Sequence, residues 1–155
     1  MKYLTLTSLI LVLLISACKK DNPASMKATI DGTSWTTVTR VTKHFASTSM
    51  FTIVGTSAAG DVVDITIRGD EEGNYSSSTS IDSASAQVGA IYKPDASAAT
   101  TDFFISTSGS VSITEINEDD QTISGTFSFT MSKMTETKSI TSGEFKNLKY
   151  SDSSQ

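Results

Sequence analysis

From Gln121 to Ser132 the chain alternates without a slip. Ile123, Gly125, Phe127, Phe129 and Met131 fall on one side, and Thr122, Ser124, Thr126, Ser128, Thr130 and Ser132 on the other. A period of two over that length is a β-strand with one buried face and one wet face. Shifting it by one residue would expose two phenylalanines, so its register is strongly fixed. Burying both rings contributes about 1.5–3 kcal/mol each. No stretch shows a convincing 3.6-residue period, so whatever packs against this strand is expected to be more strand.

The remaining elements follow in order. Met26–Ile30 reads as a short strand, and Asp31-Gly32 is a two-residue hairpin signal because glycine accepts positive φ cheaply. Ser34–Val41 returns. Trp35, the only tryptophan, is expected to plug one end of the core; a stacking platform is the functional alternative. Met50–Gly55 and Asp61–Arg68 form the next hairpin, with Val63, Ile65 and Ile67 on one face. Gly69–Gly73 is an acidic loop, and Asn74–Thr79 a short polar strand around Tyr75. Residues 81–86 fit either a loop or a helical turn. Gln87–Tyr92 is a strand that stops at Lys93-Pro94-Asp95. Asp102–Thr107 and Ser110–Ile116 read as two strands, with a bulge near Thr114 to bring Ile116 into phase. Ile140–Tyr150 closes the domain on Phe145 and Leu148, and residues 151–155 read as a tail. Short strands joined by hairpin turns predict an all-β domain over residues 26–150, an antiparallel sandwich or partly closed meander barrel.

Composition narrows the function. The net charge is −5, which argues against a nucleic-acid partner, since phosphate binding needs clustered Lys and Arg. Ser and Thr make up roughly a third of the chain, and β-branched Thr suits the solvent face of strands. With Cys18 as the only cysteine, no internal disulfide can form, so packing and hydrogen bonds must hold the fold.

Residues 1–17 have the order of an export signal: Lys2, then the apolar run Leu9–Ile15, then the small residues Ser16 and Ala17. The run is too short to span a bilayer as a helix, which takes about 20 apolar residues. Ile15-Ser16-Ala17-Cys18 resembles the lipobox of bacterial lipoproteins. That resemblance implies cleavage before Cys18 and acylation of the new N-terminus. Acyl chains at about 0.8 kcal/mol per buried CH₂ would hold the protein firmly to a membrane. Residues 18–25 then form the lipidated cysteine and a polar tether, whose seven residues after Cys18 reach roughly 20–25 Å when extended.

Ile30-Asp31-Gly32 with Trp35, Ile123–Phe129 and Ile140–Phe145 together resemble small lipoproteins of the Bacteroidota that share a domain of unknown function. The resemblance implies a β fold and an outer-membrane location, on the periplasmic face or the cell surface, and no catalytic residues. Lys19-Lys20-Asp21 partly resembles the surface-export signals of such lipoproteins. Asp82-Ser83-Ala84 resembles their O-glycosylation site, with Ser83 as acceptor.

Chemistry is harder to find. His44 is the only histidine, so a His-rich zinc site is excluded. A Ser–His–acid triad stays open, because its partners lie far apart in sequence. Gly55–Gly60 is no nucleophile elbow. Asp70-Glu71-Glu72 and Glu118-Asp119-Asp120 lack the alternating spacing of a calcium loop and read as solvated turns. No cofactor or metal site is expected. The expectation is a lipid-anchored, non-enzymatic binding or structural domain with a protein or glycan partner. The alternative is a barrel holding a small apolar ligand or glycan, with Trp35, Phe103, Phe127 and Phe129, and Ile105 beside them, around its interior.

Overall fold

A computed structural model describes residues 23–77, 87–95 and 102–153. Cys18, Ser83 and residues 81–86 lie outside the described residues. Among those described there are nine strands: β1 Ser25–Ile30, β2 Thr33–Phe45, β3 Met50–Ser57, β4 Val62–Arg68, β5 Gly73–Ser77, β6 Val88–Lys93, β7 Phe104–Asn117, β8 Thr122–Lys133 and β9 Glu136–Asp152. A single 3₁₀ turn, Ala46–Thr48, is the only helical element among them.

The strands close into a barrel. Its order is β7-β6-β4-β3-β2-β1-β9-β8, and β8 pairs back to β7. These eight strands run antiparallel to their neighbours, and β5 is an extra strand on the edge of β7. That edge is shared: β6 takes Phe104 and Ile105, while β5 takes Gly109–Ile113. β1 is short. Past its start, β2 and β9 meet directly, in parallel, from Thr42↔Tyr150 to His44↔Asp152.

Local chemistry explains the corners. Asp31 and Gly32 both have positive φ, 47° and 79°, the two-residue turn whose twist matches the flanking strands. Register shifts in the β1–β9, β2–β3, β7–β8 and β8–β9 pairings add the bends that a small barrel needs. One shift, between Ile113 and Glu115, is the bulge expected near Thr114. At Gly125 a Cβ would collide with the Ser112 carbonyl and the Phe145 ring. Glycine there lets an aromatic ring lie flat on a neighbouring strand.

The interior is filled by side chains. Phe51, Ile65, Phe104, Met131, Ile140 and Phe145 are each under 2% exposed. Phe127 and Phe129 point inward, with their rings 6.3 Å apart. Trp35 is buried in the same core, as the plug reading expects.

Four expectations change. The two strands expected over 102–107 and 110–116 are one, β7, which starts at Phe104, because the backbone runs through Ser108-Gly109 while pairing with β8. Phe103 and Ile105 do not line the interior. Phe104 opposite Tyr92 faces inward at 1% exposure, while Ile105 is 53% exposed and Phe103 is half-buried ahead of the strand. The second strand continues past Val41 to Phe45, which carries His44 into the sheet. The last strand runs through Asp152, two residues into the segment expected to be a tail, because β2 is there to pair with it.

Candidate functional site

Three hairpins bring a cleft together at one end of the barrel. The β1–β2 turn supplies Asp31, Thr33 and Ser34, the β3–β4 turn supplies Asp61, and the start of β9 supplies Lys138. Trp35 and Tyr92 form its inner wall, and its volume is about 240 Å³. Lys138 Nζ donates to Asp31 Oδ2 at 2.9 Å, and the Ser139 N–H donates to Asp31 Oδ1 at 2.8 Å. That N–H and the ammonium hold the Asp31 carboxyl below the usual carboxylate range. Tyr92 Oη reaches Asp61 Oδ1 at 3.5 Å. Burial, with the Asp61 charge beside it, pushes the Tyr92 phenol up to about 12. Asp61 Oδ2 accepts from Ser57 Oγ at 3.1 Å. Trp35 is 4% exposed, and its Nε1 is buried with no hydrogen-bond partner, which is uncommon for a native indole.

A second concavity, about 340 Å³, opens in the barrel wall where β6 and β7 part, lined by Asp64, Thr66, Ile91, Ile105 and Ser106 among others. Burial raises the Asp64 carboxyl above its ordinary range, against the pull of the Lys93 charge. Its Oδ1 is buried without a partner. A broad trough of about 510 Å³ crosses the outer faces of β7, β8 and β9, with a floor of Ser110, Ser112, Thr126 and Ser128. The lumen itself holds packed rings and aliphatic chains, so the structure lends no support to an apolar ligand inside the barrel.

His44 lies at the opposite end. Its Nδ1 donates to Asp152 Oδ1 at 2.9 Å, its Nε2 is 3.7 Å from Asp70 Oδ2, and its ring stacks on Phe51 at 4.6 Å. Nε2 has no hydrogen-bond partner, so among the described residues no hydroxyl nucleophile completes a triad there. The acidic turns are occupied structurally: Asn117 and Asp120 hydrogen-bond each other, and Glu72 Oε1 accepts the Ile116 N–H at 3.3 Å. Among the described residues, no three His, Cys, Asp or Glu side chains are grouped to hold a metal ion. None of their helices is long and apolar enough to cross a membrane.

Of the residues singled out from sequence, only Trp35 lines the end cleft; Phe127 and Phe129 are core, and Phe127 touches the trough from beneath. Asp61, Tyr92 and Lys138 were not legible as a set, since 31 and 46 positions separate them in turn. A lone acid in the run Val62-Val63-Asp64-Ile65 was the one available signal for the wall cleft.

Fold and clefts define the class: a small closed β-barrel with a filled lumen and its concave surfaces outside and at one end. The chain belongs to the family described as Domain of unknown function (DUF6252), whose family model matches residues 22–149. No curated protein and no solved structure matches it.

Proposed function

We propose that this protein is a lipid-anchored, non-enzymatic binding domain of the bacterial outer membrane, tethered by acylated Cys18 and displaying the end of its barrel away from the bilayer. One observation carries the reading. The barrel is apolar inside and hydroxylated outside: Thr126, Ser128 and Thr130 of β8 are exposed, while Phe127, Phe129 and Met131 are buried. A barrel that spans a membrane carries the reverse, an apolar band facing lipid. Attachment therefore falls to the N-terminus, where the lipobox-like Ile15–Cys18 stands. The direction of β1 supports the display. It leads from the tether at Ser25 to Asp31-Gly32 at the cleft, and six strand residues rise about 20 Å.

The test is fractionation with acyl labelling. Wild-type protein expressed in a bacterial host incorporates labelled palmitate and pellets with membranes. Cys18→Ala loses the label and moves to the soluble fraction. Retention of Cys18→Ala in the membrane refutes the anchor.

A further inference from the structure

The cleft in the barrel wall sets an unpartnered acid beside open aliphatic surface. β6 pairs with β7 only at Ile91↔Ile105 and Tyr92↔Phe104. Past those pairs the Ala90 N–H donates to the Ser106 hydroxyl at 2.8 Å, and the wall opens. Gly89 makes the floor, where a Cβ would meet only Ser106 Oγ, at 4.0 Å. Asp64 and Thr66 of β4, Ile91 of β6, and Ile105 and Thr107 of β7 stand around it. Their side chains point outward and keep accessible surface: Ile105 is 53% exposed, and Asp64, Thr66 and Ile91 are half-buried. Asp64 Oδ1 is turned into the wall without a partner. Oδ2 is not buried in that way, and among the described residues nothing hydrogen-bonds to it.

The order of these groups selects the ligand. Asp64, Ile91 and Ile105 lie in one cross-strand row, two interstrand spacings or about 9–10 Å from the acid to the outer isoleucine. Charge stands at one end of the row and aliphatic surface beyond it. Burial raises the Asp64 carboxyl, and the Lys93 charge opposes that only from a distance. An anion would add to the cost of ionising Asp64, and a neutral hydroxyl would leave the charge uncompensated. A cation at hydrogen-bond distance compensates it and favours the carboxylate. A metal ion would find no further acids grouped beside Asp64 among the described residues, and it would leave both isoleucines wet. An aliphatic chain covers them. The volume, about 340 Å³, lies at the lower end of the roughly 300–1,000 Å³ of small-molecule sites and suits a short chain.

We infer that the wall cleft binds a primary ammonium on a short aliphatic stem, the group that a lysine side chain or a free alkylamine presents, with Asp64 Oδ2 as counter-ion, the Thr66 hydroxyl as a second acceptor, and Ile91 and Ile105 against the stem. Lysine's four-carbon stem fits the row from Asp64 toward Ile105. The site does not depend on the membrane anchor, because binding is read on purified protein however Cys18 is modified.

The purified protein in detergent is titrated with pentylammonium and with Nα-acetyl-lysine methylamide, and the amide resonances of Gly89, Ile91 and Ile105 are followed by NMR. Pentanol supplies the stem without the charge, methylammonium the charge without the stem, and pentanoate the opposite charge. The expected result is a saturable shift with at least one of the two amines, with Kd on the order of 1 mM for so small a ligand. The three controls should bind at least about tenfold more weakly. Tighter binding of the lysine amide assigns the site to a partner's lysine; tighter binding of pentylammonium assigns it to a free alkylamine. Asp64→Asn keeps the shape, removes the charge, and should weaken binding on the order of tenfold. Gly89→Val fills the floor with a residue that suits a strand and should abolish the shifts, with circular dichroism verifying the fold of both variants. No saturable shift with either amine overturns the inference. So does pentanol binding as tightly as pentylammonium, or unchanged affinity in Asp64→Asn or Gly89→Val.

Discussion

Truncating Phe127 to alanine should cost the domain about 4–5 kcal/mol. The ring is 4% exposed, so it forfeits about 3 kcal/mol of transfer free energy. It lies 6.3 Å from Phe145, nearly parallel at 24°, and 6.3 Å from Phe129. Each aromatic contact adds about 0.5–1.5 kcal/mol. The hole would not collapse easily, because the ring rests on bare backbone. A Cβ at Gly143 would sit 2.5 Å from Phe127 Cδ2, and a glycine has no side chain to swing inward. That places the loss in the upper part of the range of about 3–5 kcal/mol for buried aromatic truncations. Urea unfolding read by Trp35 emission measures it, with Thr126→Ala as the control. Thr126 is one residue away but points to solvent, and its loss should stay within about 0.5 kcal/mol. A Phe127→Ala cost below about 1 kcal/mol, with an unchanged urea slope, would refute the packed lumen.

Other consequences follow from the same structure. Burial raises the Asp64 carboxyl, so the unfolded chain ionises first and stability is lost as pH climbs from the unfolded value of 3.8 through the folded one. Asp64→Asn should therefore stabilise the protein at neutral pH, and melting temperatures should show that gain fading below pH 3.8. Tyr92 acts at the alkaline end. Its phenol ionises near 10 when unfolded and about 12 when folded, so stability should fall across that interval. Tyr92→Phe should flatten the fall, read by tyrosinate absorbance beside denaturation. Gly125→Ala drives a methyl group into the Ser112 carbonyl and the Phe145 ring and should cost about 1–3 kcal/mol by chemical denaturation.

Much of the fold was readable because period-two patterning is local. β8 needed no partner to declare its faces, and Asp31-Gly32 declared its turn through backbone sterics alone. Failures came where the local signal was absent. Phe103-Phe104-Ile105 is three apolar residues in a row, which has no alternation to read. Only the pairing of Phe104 with Tyr92 decided which of them faces inward. Ser108-Gly109 falls between the two expected strands, but its backbone groups pair with β8 on one side, and Gly109 pairs with β5 on the other.

What the chain settles by itself, then, is an all-strand body with hydroxyls outside and rings within. Side-chain alternation and turn sterics act over a few residues and need nothing else. The tertiary structure alone decided that the sheet closes, that β2 and β9 meet in parallel beside His44, and that Asp61, Tyr92 and Lys138 join Trp35 in one cleft. Those outcomes depend on bulges and on strand neighbours as far apart in sequence as Ser25 and Lys146. No spacing along the sequence encodes them.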